Sequence, residues 1–271
     1  MTDPMCYIES IATQRMLPDD LRELIPDAAM RRRMSRIVKQ GVATAMACAG
    51  GAERVAELDA IITATGWGCL ADSERFLRLD CETQEQMLNP TPFIQSTFNT
   101  VGAQIALLGR NHCYNTTYVH RSRSFESALL DAMMRLEEGE ASRVLVGAYD
   151  EQTPTQHHIM ERMGCWRKAC DGEGCTFVLL TAARTARSMA KLERLDFPAE
   201  PLAPTQCIGR YASQPDALLV APGADDACYP TRSAALFARG VEAVAQGRPE
   251  AVVYNEYFGE EPTVALLKWE L

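Results

Sequence analysis

Apolar positions along the chain fall into two alternating patterns: short β-branched runs and longer stretches of helical period. The clearest helix spans 124–138, where Phe125, Ala128, Leu129, Ala132, Met133 and Leu136 recur at i, i+3, i+4 and form one apolar face. Ser124 is placed to cap it, Glu126 suits its positive end, and Gly139 is placed to stop it. The runs 58–65 (LDAIITAT), 143–148 (RVLVGA) and 174–181 (GCTFVLLT) have the length and composition of buried strands. Shorter strands are expected over 6–13 and 113–119, and in the second half over 217–220, 251–255 and 263–270. Helices are expected over 28–49, 72–79, 93–108 and 231–245. The polar stretch 153–171 reads as irregular. A strand, a helix and a second strand make a parallel right-handed unit. That order occurs in both halves, each time followed by a further strand, although no sequence repeat accompanies it. The expected class is α/β, in two units spanning 1–185 and 186–271, the second shortened.

Composition narrows the function classes. The chain has 271 residues, 47% hydrophobic and 23% charged, enough for one large core or two fused lobes. A net charge of −9 argues against nucleic acid as the main partner. Arg31, Arg32 and Arg33 stand in the first turn of the helix expected over 28–49. Basic residues there oppose the macrodipole, so they read as a solvated face or as a contact for an acidic partner. No signal-peptide pattern and no membrane-length apolar run is expected, which favours the cytoplasm. The ten cysteines then read as small core residues in a reducing compartment. Cys165, Cys170 and Cys175 are spaced more widely than a zinc knuckle, and no metal site is expected.

The stretch 89–150 carries the most information. Asn89 to Gly102 (NPTPFIQSTFNTVG) resembles the segment before the nucleophile strand of the β-ketoacyl synthases. Asp131-Ala-Met133, Glu138-Gly139 and Val144-Leu-Val-Gly147 resemble the helix and strand that follow it. Gly172-Glu-Gly174 and the segment starting at Asn255 (NEYFGEEPTVALLKWEL) resemble the strand closing the first half and the final loop and strand. The chain resembles the ketosynthase-like N-terminal-domain proteins of bacterial aryl polyene and flexirubin-type clusters. The resemblance implies a thiolase-like fold, with two pseudo-symmetric halves in an αβαβα layering. It also implies dimerisation across the strand 113–119, here Cys113, Asn115, Thr117 and Val119, with a ketosynthase homologue or with a second copy. An acyl carrier protein is a further implied partner, its phosphopantetheine arm serving as substrate rather than as a resident cofactor.

The departures from that family decide the chemistry. Its nucleophile is a cysteine; the turn here reads Tyr118-Val-His-Arg-Ser-Arg-Ser124 and has none. Counting along the helix places Ser122 at the nucleophile position, and counting along the strand places Tyr118 there. The four histidines, His112, His120, His157 and His158, all lie in the first half, whereas a ketosynthase takes its catalytic histidines from the second. The final loop keeps Asn255 but carries Glu260 and Glu261 beside it. Two carboxylates beside an enolate would raise its energy. His120 and Ser122 remain candidates for a base and nucleophile pair, and Cys228 for a thiolate at a helix start. Arg121 and Arg123 are candidates for contact with a carrier phosphate or a partner carboxylate. Three functions stay open. The first is a catalytically degenerate, chain-length-factor-type subunit that shapes an acyl tunnel with an active ketosynthase. The second is an acyltransferase using Ser122 or Cys228. The third is a homodimeric binding or scaffold protein.

Overall fold

A computed structural model describes residues 6–86, 88–167, 169–258 and 260–269. The first half runs β1 (Tyr7–Thr13), α1 (Ala28–Arg33), α2 (Arg36–Ala49), α3 (Ala52–Val55), β2 (Ala60–Ala64), α4 (Leu70–Thr83), α5 (Pro90–Ser96), α6 (Thr100–Gly109) and β3 (Tyr114–Tyr118). It continues through α7 (Ser124–Glu137), β4 (Arg143–Asp150), α8 (Pro154–Arg162), β5 (Cys170–Asp171) and β6 (Gly174–Thr181). The second half comprises β7 (Ala190–Asp196), α9 (Pro204–Tyr211), β8 (Leu218–Val220), β9 (Ala227–Cys228), α10 (Arg232–Ala245), β10 (Glu250–Tyr257) and β11 (Glu260–Lys268).

Nine strands form one sheet in the order β3-β2-β4-β6-β1-β7-β11-β10-β8, and β5 pairs with β9 as a separate ribbon. The order exposes the internal symmetry. In the first half β3 leads through α7 to the parallel β4, then to the antiparallel β6, which borders β1. In the second half β8 leads through α10 to the parallel β10, then to the antiparallel β11, which borders β7. The two halves meet where β1 runs antiparallel to β7. Among the described residues the second half has no strand equivalent to β2, which lies between β3 and β4.

Side-chain alternation along the strands sorts the core into layers. Ile62, Ala64, Val144, Val146, Val178 and Leu180 face an inner layer where α7 and α10 pack, and Ala251, Val253, Ala265 and Leu267 approach the same layer from the other half. Ile61, Leu145, Phe177 and Leu179 face outward onto α2 and α6. Val252, Tyr254, Val264 and Leu266 face outward onto α9. The result is the αβαβα layering expected of a thiolase-like fold. Phe125 of α7 and Phe237 of α10 meet edge to face at its centre, their ring centroids 5.6 Å apart.

Several local expectations are corrected. The helix over 28–49 is two helices, broken at Met34 and Ser35. Asp27 caps the first by accepting from the Ala29 and Met30 amides. Arg31, Arg32 and Arg33 therefore stand in its last turn, where positive charge suits the dipole. The helix over 93–108 is likewise two, parted at Thr97–Asn99, with Asn89 capping the first and Pro90 at its N1 position. The stretch 153–171 contains α8, which Thr153 caps through the Gln156 amide with Pro154 at N1. Ser124 does not cap α7; its hydroxyl is used elsewhere, as described below. No helix among the described residues is long and apolar enough to cross a membrane.

Candidate functional site

Four segments converge where α7 and α10 begin: the turn after β2, the elbow between β3 and α7, the end of β4, and the turn between β10 and β11. Asp150, the last residue of β4 and fully buried, ties the turn after β2 to the end of β4 and to the start of α10. One carboxylate oxygen accepts from the Thr65 hydroxyl (2.9 Å) and from the Gly66 (2.9 Å) and Trp67 (2.7 Å) amides. The other accepts from the Thr231 amide (2.9 Å) and hydroxyl (2.7 Å) at the start of α10. Burial pushes the Asp150 carboxyl up from its ordinary range, and these donors pull it back. Gly66 is required for close approach: a Cβ there would lie 2.3 Å from Pro230 Cβ and 3.2 Å from the Arg121 carbonyl. The Ser124 hydroxyl accepts from the His120 amide and lies within hydrogen-bonding distance of the Thr65 (2.9 Å) and Arg121 (2.7 Å) carbonyls, which share its single proton, so the elbow is held against the β2 turn.

Within the elbow, Ser122 is fully buried and its hydroxyl donates to the Glu261 carboxylate of β11. Arg121 and Glu261, flanking this contact, both adopt left-handed backbone conformations (φ 50° and 51°). For residues with a Cβ each such conformation costs about 1–2 kcal/mol, so the surrounding packing holds the pair in place. His120 does not face Ser122. It is exposed, and its Nδ1 lies 3.1 Å from the Ser127 hydroxyl. His157 pairs with Asp171 (2.6 Å) and stacks on Trp166, while His112 and His158 are exposed. Among the described residues, no histidine side chain hydrogen-bonds to Ser122, Glu261 or Asn255. The expected base and nucleophile pair is therefore not assembled, and the partner of Ser122 is a carboxylate 139 residues away in sequence.

The other candidates are placed as follows. Cys228 belongs to β9, not to the first turn of α10, and is buried; burial raises its thiol pKa, the opposite of what a thiolate nucleophile needs. Asn255 is buried in β10, and its carbonyl oxygen accepts from Arg232 Nε (3.0 Å). Arg123 is turned onto its own chain, with its guanidinium over the Phe197 ring and Nη2 3.4 Å from the Pro198 carbonyl. Arg121 is exposed. Cys113 and Val119 flank β3, while Asn115 and Thr117 lie within it. Among the described residues, no group of three His, Cys, Asp or Glu side chains is arranged to hold a metal.

Glu126, four residues after Ser122, does more than suit the positive end of α7. It is buried, accepts from the Thr263 hydroxyl (2.8 Å), and burial pushes its carboxyl up to about 6. Its second oxygen faces the Ser233 hydroxyl, but neither of these, nor the Asn255 amide nitrogen, makes a hydrogen bond of good geometry. All three residues border a cavity of about 10 Å³ between α7 and α10. That is room for at most one water. A carboxyl whose folded pKa exceeds its unfolded value binds protons better in the folded state. Stability is therefore full below the unfolded value of about 4.5 and declines as pH rises towards 6. Glu126→Gln should stabilise the chain at pH 7 by up to about 2 kcal/mol and flatten urea midpoints measured between pH 4.5 and 7. An unchanged pH dependence would remove Glu126 as its source.

The family model described as beta-ketoacyl synthase, N-terminal domain, matches residues 12–191. A search of curated proteins finds no match. Among solved structures the chain is similar to the ishigamide ketosynthase/chain length factor, with a TM-score of 0.76 and 16% identity over 97% of this chain and 99% of that one. It is similar to a type II polyketide synthase acyl-carrier protein in complex with its ketosynthase (TM-score 0.78, 11% identity, 98% and 99% covered). It is also similar to a ketosynthase in complex with its chain length factor from Xenorhabdus doucetiae (TM-score 0.64, 14% identity, 98% and 99% covered). At these identities the likeness is one of fold. The family match covers well over half of the sequence and joins the layered fold and the elbow between β3 and α7: this chain belongs to the beta-ketoacyl synthase family, represented by its N-terminal domain.

Proposed function

We propose that this chain is a catalytically silent, chain-length-factor-type partner of an active ketosynthase in polyketide or fatty-acid-like synthesis. The observation that carries the reading is the contact of the buried Ser122 hydroxyl with the half-buried Glu261 carboxylate. A condensing site needs a thiolate to take and release the acyl group, and donors to stabilise the enolate formed on decarboxylation. Here the elbow offers a serine hydroxyl already donated to a carboxylate, and that carboxylate would oppose a developing negative charge. The core behind the elbow is filled by Phe125 and Phe237, which line the 10 Å³ cavity. An acyl tunnel shaped by this chain therefore runs along its surface rather than through it.

The surface suited to a partner surrounds β3. That strand ends the sheet, paired only with β2, so one row of its backbone groups is open to a further strand. Exposed apolar side chains flank it: Phe93, Ile94 and Phe98 before α6, and Leu130 and Met134 on α7. The fold likeness to structures of a ketosynthase with its chain length factor supports this mode of pairing. Arg121, exposed beside the elbow, is the residue placed to meet a carrier phosphate.

Acyl loading tests the silence. After incubation with an acyl-carrier thioester, intact mass should show no added acyl group. A persistent adduct that disappears in Ser122→Ala or Cys228→Ala would replace this reading with that of an acyltransferase.

A further inference from the structure

A second concavity lies away from the elbow, on the face of α10 that looks towards the start of β6. It has a volume of about 310 Å³, at the lower end of the roughly 300–1,000 Å³ typical of small-molecule sites. Met16, Ala235, Leu236 and Ala238 give it apolar walls. Three polar groups on its lining lack partners among the described residues. The Gln14 side-chain oxygen is buried with no hydrogen bond. The Tyr229 hydroxyl, packed against Gly174, makes none either. Arg15 is exposed and forms no ion pair. Arg15 lies close enough to Tyr229 for its charge to act on the phenol.

The remaining charges on the lining give the cleft a direction. Arg239 is held by Asp226 (2.9 Å), and Glu173 by Arg36. Arg232 is engaged with Asn255 and the Glu256 carbonyl, so it walls the cleft off from the site at the elbow. Glu242 has no ion pair, but it lies ten residues further along α10 than Arg232, about 15 Å at 1.5 Å per residue. Positive character thus gathers near the start of α10, with Arg15, Tyr229 and the helix dipole. Negative character lies at the far end.

The geometry points to a binding site for a small aliphatic carboxylate. Its head group sits at Arg15 and Tyr229, and its chain lies along Ala235 and Ala238 of α10. No residue of the elbow or of β3 lines this cleft. Calorimetric titration of the purified chain with octanoate should show saturable binding. Octylamine, of equal length and opposite charge, should not bind measurably. Arg15→Ala, at an exposed position that leaves the fold intact, should weaken octanoate binding at least tenfold. Ala235→Trp, checked for folding by circular dichroism, should fill the cleft and abolish it. Absence of saturation with octanoate, equal binding of octylamine, or full affinity in Arg15→Ala or in a folded Ala235→Trp would overturn the assignment.

Discussion

Asp150→Ala is expected to destabilise the chain by at least ~3 kcal/mol. The substitution removes a small buried volume, but it strands five donors at once: two hydroxyls, from Thr65 and Thr231, and three amides, from Gly66, Trp67 and Thr231. Each buried donor left without an acceptor costs about 1–3 kcal/mol, less where a water can enter the space. The loss is also positional. Asp150 holds the turn after β2, on which the elbow rests through Ser124, and the first residues of α10 from the other half. Asp150→Asn should be nearly as damaging, because its NH₂ group would face donors and not acceptors. Urea unfolding followed by circular dichroism measures the effect. A midpoint shift worth less than 1 kcal/mol would show that Asp150 is not the hinge joining the halves.

The second large effect is expected at the surface. Leu130→Glu combined with Met134→Glu should leave the fold untouched, since both side chains are exposed on α7. The double variant should weaken association with a ketosynthase at least a hundredfold. Four residues apart on one helical face, the two carboxylates would be desolvated in any partner packed against β3 and α7, an arrangement that costs several kcal/mol. Tyr114 of β3 is fixed to the same face, with its hydroxyl 3.1 Å from Asp131 and the Arg135 guanidinium 3.3 Å from its ring centroid. Helix and edge strand therefore form one surface. Undiminished co-purification of the double variant would move the partner to another face.

Local pattern made the inner layers readable. The apolar stripe of α7 and the β-branched runs of β2, β4 and β6 are dense signals, and each lies within a residue or two of its place in the fold. The outer elements were harder. β7 (AKLERLD) alternates charge with apolar residues, and no strand is expected there from the sequence. It is central because Ala190 and Leu192 turn inward while Lys191 is buried beside Glu193 (3.3 Å). The helix breaks at Met34–Ser35 and Thr97–Asn99 carry no capping signal: Asp27, Asn89 and Pro90 mark the starts of α1 and α5, and neither Ser35 nor Asn99 makes a side-chain capping bond. Thr153 followed by Pro154 was a legible start signal for α8 that the polarity of the segment concealed. At the site, the missing cysteine and the absence of histidines from the second half were visible in the sequence. The Ser122–Glu261 contact was not, because chain topology alone brings β11 to the elbow. The same topology closes the chamber around Glu126, Ser233 and Asn255.

Native mass spectrometry shows directly whether this chain is the silent half of a pair. The chain is co-expressed with ketosynthases encoded nearby, and the purified material is weighed intact after exposure to acyl carrier substrate. The expected result is a one-to-one heterodimer in which the acyl group is found only on the ketosynthase. A chain recovered only alone or paired with itself, or one that carries the acyl group, would contradict it.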